Sequence, residues 1–433
     1  MEFLKIICTQ GRHRRRSICL VFSGLFLLVS TIQIWNSVSL NNSRGQITDN
    51  CSDDGGKLLC TFGRAWDNFG KNTDSTEEMK HIAFLKVHKA ASSTVMNILM
   101  RFGYARNLSF ILPKNSLNII SQTEHLQQKN IHEPLVNKTK FDILCHHVIY
   151  KKSALQRYLH NDAFYVSILR DPFDQFVSSF NYFRKVWGTP YLHNISGEFP
   201  MSELLRHPNR YEPKIISDSF TNNRMSFDLG FPLSVFDSPS PGRISRYISH
   251  LDSSFHFVMI KEYFDESVVL LKHFLNWTMK DILYVRQNTL RHYRIDLDVQ
   301  PGDRELHRQR ARLDYALYDH FLFRFWEHVQ QQGPEFHREV MYFKHLRRSV
   351  ETFCRHVFSK DIGIFQASDN KWHKSFQITK QDCYLIMMTE NDFSLLLKHT
   401  QYPYLRPTRQ TPKRHRKRKV LPPVRPNIYK GPI

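Results

Sequence analysis

Glycine is missing from the one place where a large class of nucleotide-binding proteins needs it. None occurs between Gly70 and Gly103. The stretch 81–102, HIAFLKVHKAASSTVMNILMRF, therefore lacks both glycines of the G-x-x-x-x-G-K-[ST] loop, which excludes an NTPase-type phosphate loop and the kinases built on it. Acid is also short: 40 Asp and Glu face 61 Lys and Arg, a formal charge of +21. Residues 1–16 hold five basic residues against one acid, and 401–433 hold ten against none, so the ends carry 14 of the 21 charges. About +7 remains for 17–400, which suits an anionic substrate but is too little for a nucleic-acid-binding surface. Cysteines number seven, and no Cys/His cluster has metal-ligand spacing, so no metal is expected in the chemistry. There are no internal repeats.

What is present first defines a compartment. Ser17–Trp35 is an uncharged apolar run of 19 residues, near the ~20 that span a bilayer, and Arg12, Arg14, Arg15 and Arg16 precede it. No small-x-small cleavage site follows, so an uncleaved signal anchor with a cytosolic N-terminus is expected in preference to a signal peptide. Six Asn-x-Ser/Thr sequons, at Asn41, Asn50, Asn107, Asn137, Asn194 and Asn276, all fall on the lumenal side. Five cysteines fall there too: Cys354–Cys383 is the expected bridge, Cys51–Cys60 a weaker one, and Cys145 a buried thiol. The organisation read is a cytosolic tail 1–16, a transmembrane anchor 17–35, a polar stem 36–80, a catalytic domain 81–400 and a basic, Pro-rich tail 401–433 expected to be disordered.

Four apolar runs, at 82–87, 141–145, 164–169 and 255–260, read as buried strands, and helical patterns alternate with them. Val95, Ile98, Leu99 and Phe102 mark a helix face after the first, and Phe173, Phe176, Val177 and Phe180 another after the third. That alternation predicts an α/β fold: a P-loop-like, doubly wound parallel sheet flanked by helices, with ligands at the carboxyl ends of the strands. Residues 303–351 read as helices broken at Gly333-Pro334.

Polar residues gather at those carboxyl ends. Lys89-Ala90-Ala91-Ser92-Ser93-Thr94 opens a helix, where free N–H groups and the helix dipole attract an anion, although a plain turn capped by Ser92 or Ser93 would look the same. Arg170-Asp171-Pro172 ends the third strand, and Ser178 follows eight residues after the arginine, so a guanidinium fork and a hydroxyl can share a second anion. Two such ends suit a nucleotide with phosphate at both ends of its ribose. His88, His146 and His147 lie beside them; on a strand His146 and His147 point to opposite faces, so only one can line the cleft. Tyr182 reads as packing, and Glu262 either binds acceptor or pairs with Lys261.

Lysine before small and hydroxylated residues, and Arg-x-Pro with its distant serine, resemble the 5′-phosphosulfate and 3′-phosphate motifs of sulfotransferases. FLKVHKAASSTVMNILMRFG, FYVSILRDP, FDLGF at 227–231 and EYFDESVVLLKHF at 262–274 resemble the galactose-3-O-sulfotransferases of the Golgi. The resemblance implies transfer of the sulfuryl group of 3′-phosphoadenosine 5′-phosphosulfate (PAPS) to the 3-hydroxyl of a terminal β-galactose on a glycoprotein or glycolipid, in the Golgi membrane. Lys89 would stabilise the leaving oxygens, and Ala90, Ala91, Ser92, Ser93 and Thr94 would hold the 5′ phosphate. Arg170 and Ser178 would hold the 3′ phosphate. His147 is favoured as general base, with His88 orienting the loop or sharing the role. The family usually has threonine where Val87 and Ala90 stand and asparagine where His146 stands. A sulfotransferase for another position, such as a uronic acid 2-hydroxyl, and a non-catalytic carbohydrate binder are the other readings.

Overall fold

The chain divides into Met1–Thr73 and Asp74–Ile433. The computed structural model describes residues 77–135, 138–286, 299–359 and 363–405, all in the second unit. The expected anchor, the stem up to residue 76, Cys51–Cys60, the sequons at Asn41, Asn50 and Asn137, and residues 406–433 lie outside them. No helix among the described residues is long and apolar enough to cross a membrane.

Strands β1 (Ile82–Leu85), β2 (Ile143–Leu144), β3 (Phe164–Leu169) and β4 (Phe257–Ile260) form one sheet in the order β2-β1-β3-β4, every pair parallel. Every residue of the four strands is buried, as near-continuous apolar runs require in a sheet covered on both faces. The order reverses between β1 and β3, which makes their carboxyl ends the topological switch point. The second strand is shorter than the 141–145 run predicts. Phe141 bridges Leu159 instead, and Asp142 turns its carboxylate onto Ser109 and Lys138.

Helix α1 (Ser92–Ala105) follows β1 and buries Val95, Ile98, Leu99 and Phe102 as their spacing predicts. Helix α2 (Pro172–Asn181) follows β3, with Pro172 in its first turn and Asp171 capping it by accepting from the Asp174 N–H. The short helix α3 (Arg224–Asp228) comes before β4, and α4 (Phe264–Leu275) after it. Then come α5 (Asp303–Arg310), α6 (Arg312–Gln331) and α7 (Pro334–His356), broken at Gly333 as expected. A hairpin of β5 (Phe365–Ala367) and β6 (Phe376–Ile378) leads to α8 (Lys380–Met387) and α9 (Glu390–Gln401), both of which lie against α1. A Cys354–Cys383 disulfide ties α7 to α8, and Cys145 is a buried free thiol, both as expected.

Four histidines, three of them buried and His256 partly so, set a pH dependence. Burial pushes His146 and His307 down to about 3 and His256 and His328 down to about 4. Each ring stays neutral in the fold, whereas unfolded it would take a proton near pH 6.5. The stability they contribute is complete above that pH and is lost as pH falls toward 4 and then 3. Thermal unfolding should therefore begin several degrees lower at pH 5 than at pH 7.5. A Tm that is flat or rises on acidification to pH 5 would show that these rings do not govern the acid limb.

Candidate active site

The loop between β1 and α1 is strained without glycine. Lys89 (φ 58°) and Ala91 (φ 63°) both adopt left-handed backbone, a conformation that non-glycine residues hold at a cost of about 1–3 kcal/mol each and that concentrates at functional sites. Such alternation turns successive N–H groups into an anion-binding concavity. The alternative reading, a plain turn capped by Ser92 or Ser93, is not what forms: Ala91 is the N-cap and makes no side-chain bond, while Ser92 Oγ donates to Val87 O at 2.7 Å and braces the loop. The start of α1, where the Thr94 N–H turns back to Ala91 O at 3.1 Å, borders a cavity of about 850 Å³ lined by Ala91, Ser92, Ser93 and Thr94. Val87 and Ala90 are fully buried and Ala90 is not on the cavity wall, so replacing the family's threonines there leaves the lining intact.

Lys89 reaches into the cavity with no carboxylate at ion-pair distance among the described residues. Its ammonium sits 3.7 Å from the centre of the Tyr182 ring, so Tyr182 is a platform for the lysine. Burial, and then the nearby Arg170 charge, bring Lys89 down to about 8. Arg170 closes the other side. Its Nη1 donates to Lys89 O at 3.2 Å, joining the two strand ends, and its buried Nε has no partner among the described residues. Ser178, one face of α2 away, and Lys261 line the same cavity. Glu262 does not: it accepts from the Tyr318 hydroxyl at 3.1 Å and lies 3.9 Å from Lys261, the pairing alternative of the two expected.

The histidines separate as expected, although β2 ends at Leu144, before both of them. His146 is fully buried on the far side with Nε2 3.0 Å from Ser394 Oγ. His147 lines the cavity, and its Nδ1–H donates to Lys86 O at 3.2 Å, which leaves Nε2 with the lone pair. His88 stacks on it, ring centres 4.0 Å apart. The backbone N–H of His88 and its Nδ1–H both reach Asp228 Oδ2, at 2.8 and 2.7 Å, while Arg224 Nε holds Oδ1 at 3.0 Å. Burial would raise Asp228, but the Arg224 charge and the two hydrogen bonds from His88 outweigh it and keep the carboxylate ionised. Burial also lowers His88, against the opposing pull of Asp228, and lowers His147 further, where His88 and Lys86 add to the effect. Both rings are neutral near pH 7, and each carries its lone pair on Nε2, which in His88 meets the Gln122 amide at 3.5 Å.

A sequence model of one family, described as Galactose-3-O-sulfotransferase, matches residues 13–372. The chain belongs to that family. Its relatives include the human galactosylceramide sulfotransferase, 34% identical over 280 residues that cover 64% of this chain and 64% of the relative. Human galactose-3-O-sulfotransferase 2 is 32% identical, covering 63% of this chain and 68% of the relative, and mouse galactose-3-O-sulfotransferase 3 is 30% identical, covering 66% of each. The chain thus spans less than two thirds of the galactosylceramide sulfotransferase that it matches.

Membership in the galactose-3-O-sulfotransferase family gives the FDLGF stretch a physical meaning. Asp228 is the partner of His88, and at Gly230 (φ 74°) a Cβ would stand 2.2 Å from Tyr150 O, so only glycine fits. Three further groups escape a reading of the sequence. Lys86, inside the first apolar run, is buried and pairs with Glu390 Oε1 at 2.7 Å. Glu390, in the first turn of α9 and beyond the family match, also lines the cavity; Lys86, Ser93 and Asn118 outweigh its burial and hold it at about 2. Gln122 lies 3.5 Å from His88 Nε2. A lysine in an otherwise apolar run was the one available signal among these.

Proposed function

We propose that this protein is a PAPS-dependent sulfotransferase acting on the 3-hydroxyl of a terminal β-galactose. The observation that carries the reading is the junction of two cationic strand ends, Lys89 and Arg170, bonded to each other at the sheet's switch point beside a pair of neutral histidines. The residues fit the donor's charges: unpartnered Arg170 Nε and Ser178 for the 3′ phosphate, and the strained loop with Ser93, Thr94 and Lys89 for the 5′ phosphosulfate. The acceptor oxygen forms a bond to sulfur as the bond from sulfur to the bridging oxygen breaks. Adenosine 3′,5′-bisphosphate leaves, and the hydroxyl proton passes to Nε2 of a histidine. Lys89 stabilises charge that builds on the leaving oxygens, an interaction stronger in the transition state than before it.

Between the two histidines, the geometry favours His88 as base. A buried carboxylate stabilises its imidazolium, whereas the corresponding atom of His147 meets only a carbonyl. His147 then orients His88 by stacking and lines the acceptor side. The test of function is sulfuryl transfer from labelled PAPS to a panel of β-galactosides, namely galactosylceramide, N-acetyllactosamine and a mucin-type core, with 3-deoxygalactosides as controls. Product on the unmodified sugars alone is expected; equal product on a 3-deoxy acceptor would overturn the assigned position.

A Ser178→Ala variant should bind adenosine 3′,5′-bisphosphate about tenfold more weakly, the loss of one hydrogen bond to a charged group. Adenosine 5′-phosphate should bind wild type and variant alike. Unchanged affinity for the bisphosphate would remove Ser178 from the 3′ site.

The Golgi location, with a single-pass type II anchor and a lumenal catalytic domain, belongs to the same proposal. It is supported by the 17–35 run, the arginines before it, and a disulfide suited to an oxidising compartment. Glycosidase-sensitive glycans at the sequons, with the N-terminus accessible to protease only from the cytosolic side, are the expected findings.

A further inference from the structure

At the amino ends of the strands, opposite the cavity, four side chains converge that the proposed reaction does not use. His81 directly precedes β1, Asp142 directly precedes β2, and His160 and Asp162 lead into β3. Ladder bonds from Ile82 N to Asp142 O and from Phe164 N to His81 O, each 2.8 Å, fix the three strand starts against one another. His81 Nε2 lies 3.6 Å and His160 Nε2 3.4 Å from the same oxygen, Asp142 Oδ1. These separations exceed a good hydrogen bond. They match instead the roughly 3.3 Å between ligands that share one tetrahedral zinc at 2.0–2.1 Å.

The surroundings are arranged as a ligand set needs. Asp142 Oδ2 is fully occupied, by the Ser109 N–H at 2.6 Å, the Ser109 hydroxyl at 2.7 Å and Lys138 Nζ at 2.9 Å, which leaves Oδ1 to the imidazoles. On the other edge of His81, Nδ1 lies 2.9 Å from both Asp162 oxygens, so that Nδ1–H is the donor there and Nε2 is the atom turned toward Asp142. A carboxylate behind a histidine in this way is the usual outer partner of a metal-bound imidazole. A second combination, His81, His160 and Asp162, also has ligand atoms that all lie within 4.8 Å of one another, with Asp162 in the place of Asp142.

We propose that His81 Nε2, His160 Nε2 and Asp142 Oδ1 bind a late first-row divalent cation such as Zn²⁺, with Asp162 orienting His81 and water completing the shell. Two imidazoles with one carboxylate select such an ion over Mg²⁺ or Ca²⁺, which prefer all-oxygen shells. The rings are stacked 3.8 Å apart at 8°, so capture tilts them apart, a rotation open to the partly exposed His160. The ion would pin three strand starts together and take no part in sulfuryl transfer. The ligands come from three separate loops, which is why no spacing in the sequence announces them.

The test is equilibrium dialysis of the purified full chain against Zn²⁺, with Tm read in parallel. Wild type should hold one equivalent more than His160→Ala, and zinc should raise the Tm of wild type only. Asp162→Asn should bind that equivalent about 10–100-fold more weakly. Both positions are partly exposed and far from the cavity, so both variants should keep wild-type sulfuryl transfer in metal-free buffer. Equal zinc content in wild type and His160→Ala, or displacement of the ion by equimolar Mg²⁺, would overturn the site.

Discussion

Lys89→Ala is expected to lower kcat for sulfuryl transfer by about 10²–10³-fold while the KM for PAPS rises far less. The asymmetry follows from where the ammonium sits. It stands over Tyr182 with no carboxylate at ion-pair distance among the described residues, and burial beside Arg170 has brought it down to about 8. A group held in this way gains most from charge that appears during the reaction, when negative charge leaves sulfur for the bridging oxygen. The ground-state donor keeps the loop N–H groups, Ser93, Thr94, Arg170 and Ser178, so nucleotide binding survives the substitution. Lys89→Arg should rescue poorly, because a planar fork cannot occupy the space of a compact ammonium above the ring. Single-turnover rates with saturating PAPS, alongside the Kd of adenosine 3′,5′-bisphosphate, separate the two effects. A variant whose kcat is intact and whose donor affinity collapses would make Lys89 a binding residue only.

The sequence reveals local elements better than the meetings between distant ones. The strand 82–85 and the helix 92–105 follow from a buried apolar run and an i, i+3, i+4, i+7 face, both short-range patterns. The switch-point position of Lys89 and Arg170 follows from alternation of strand and helix. Nothing local says that Asp228 will lie 2.7 Å from His88, 140 residues away, or that Glu390 will close on Lys86 from 304 residues away. The short β2 shows the same limit in another form, since Asp142 looks like part of a strand until Ser109 and Lys138 arrive to bind its carboxylate. The left-handed Lys89 and Ala91 were hidden for a different reason. Glycine usually advertises such backbone, and this loop has none.

Replacing the two stacked histidines should separate their roles. If His88 is the base, His88→Ala loses about 10²–10⁴-fold in kcat, the usual worth of positioned proton transfer. His147→Ala then loses about tenfold or less, the value of a stacking contact that orients its neighbour. Asp228 supplies the deciding measurement. Its charge raises His88, so Asp228→Asn should move the acid limb of the kcat/KM profile to lower pH while reducing the plateau. The sign matters: a carboxylate whose sole role was to hold the fold would depress activity without moving that limb. Because Asp228 also anchors Arg224 and the His88 backbone, Tm and nucleotide Kd must be measured on the same preparation. If His147→Ala instead abolishes turnover and Asp228→Asn leaves the limb in place, the proton goes to His147. His88 would then be the residue that holds the loop, through the backbone N–H it already gives to Asp228.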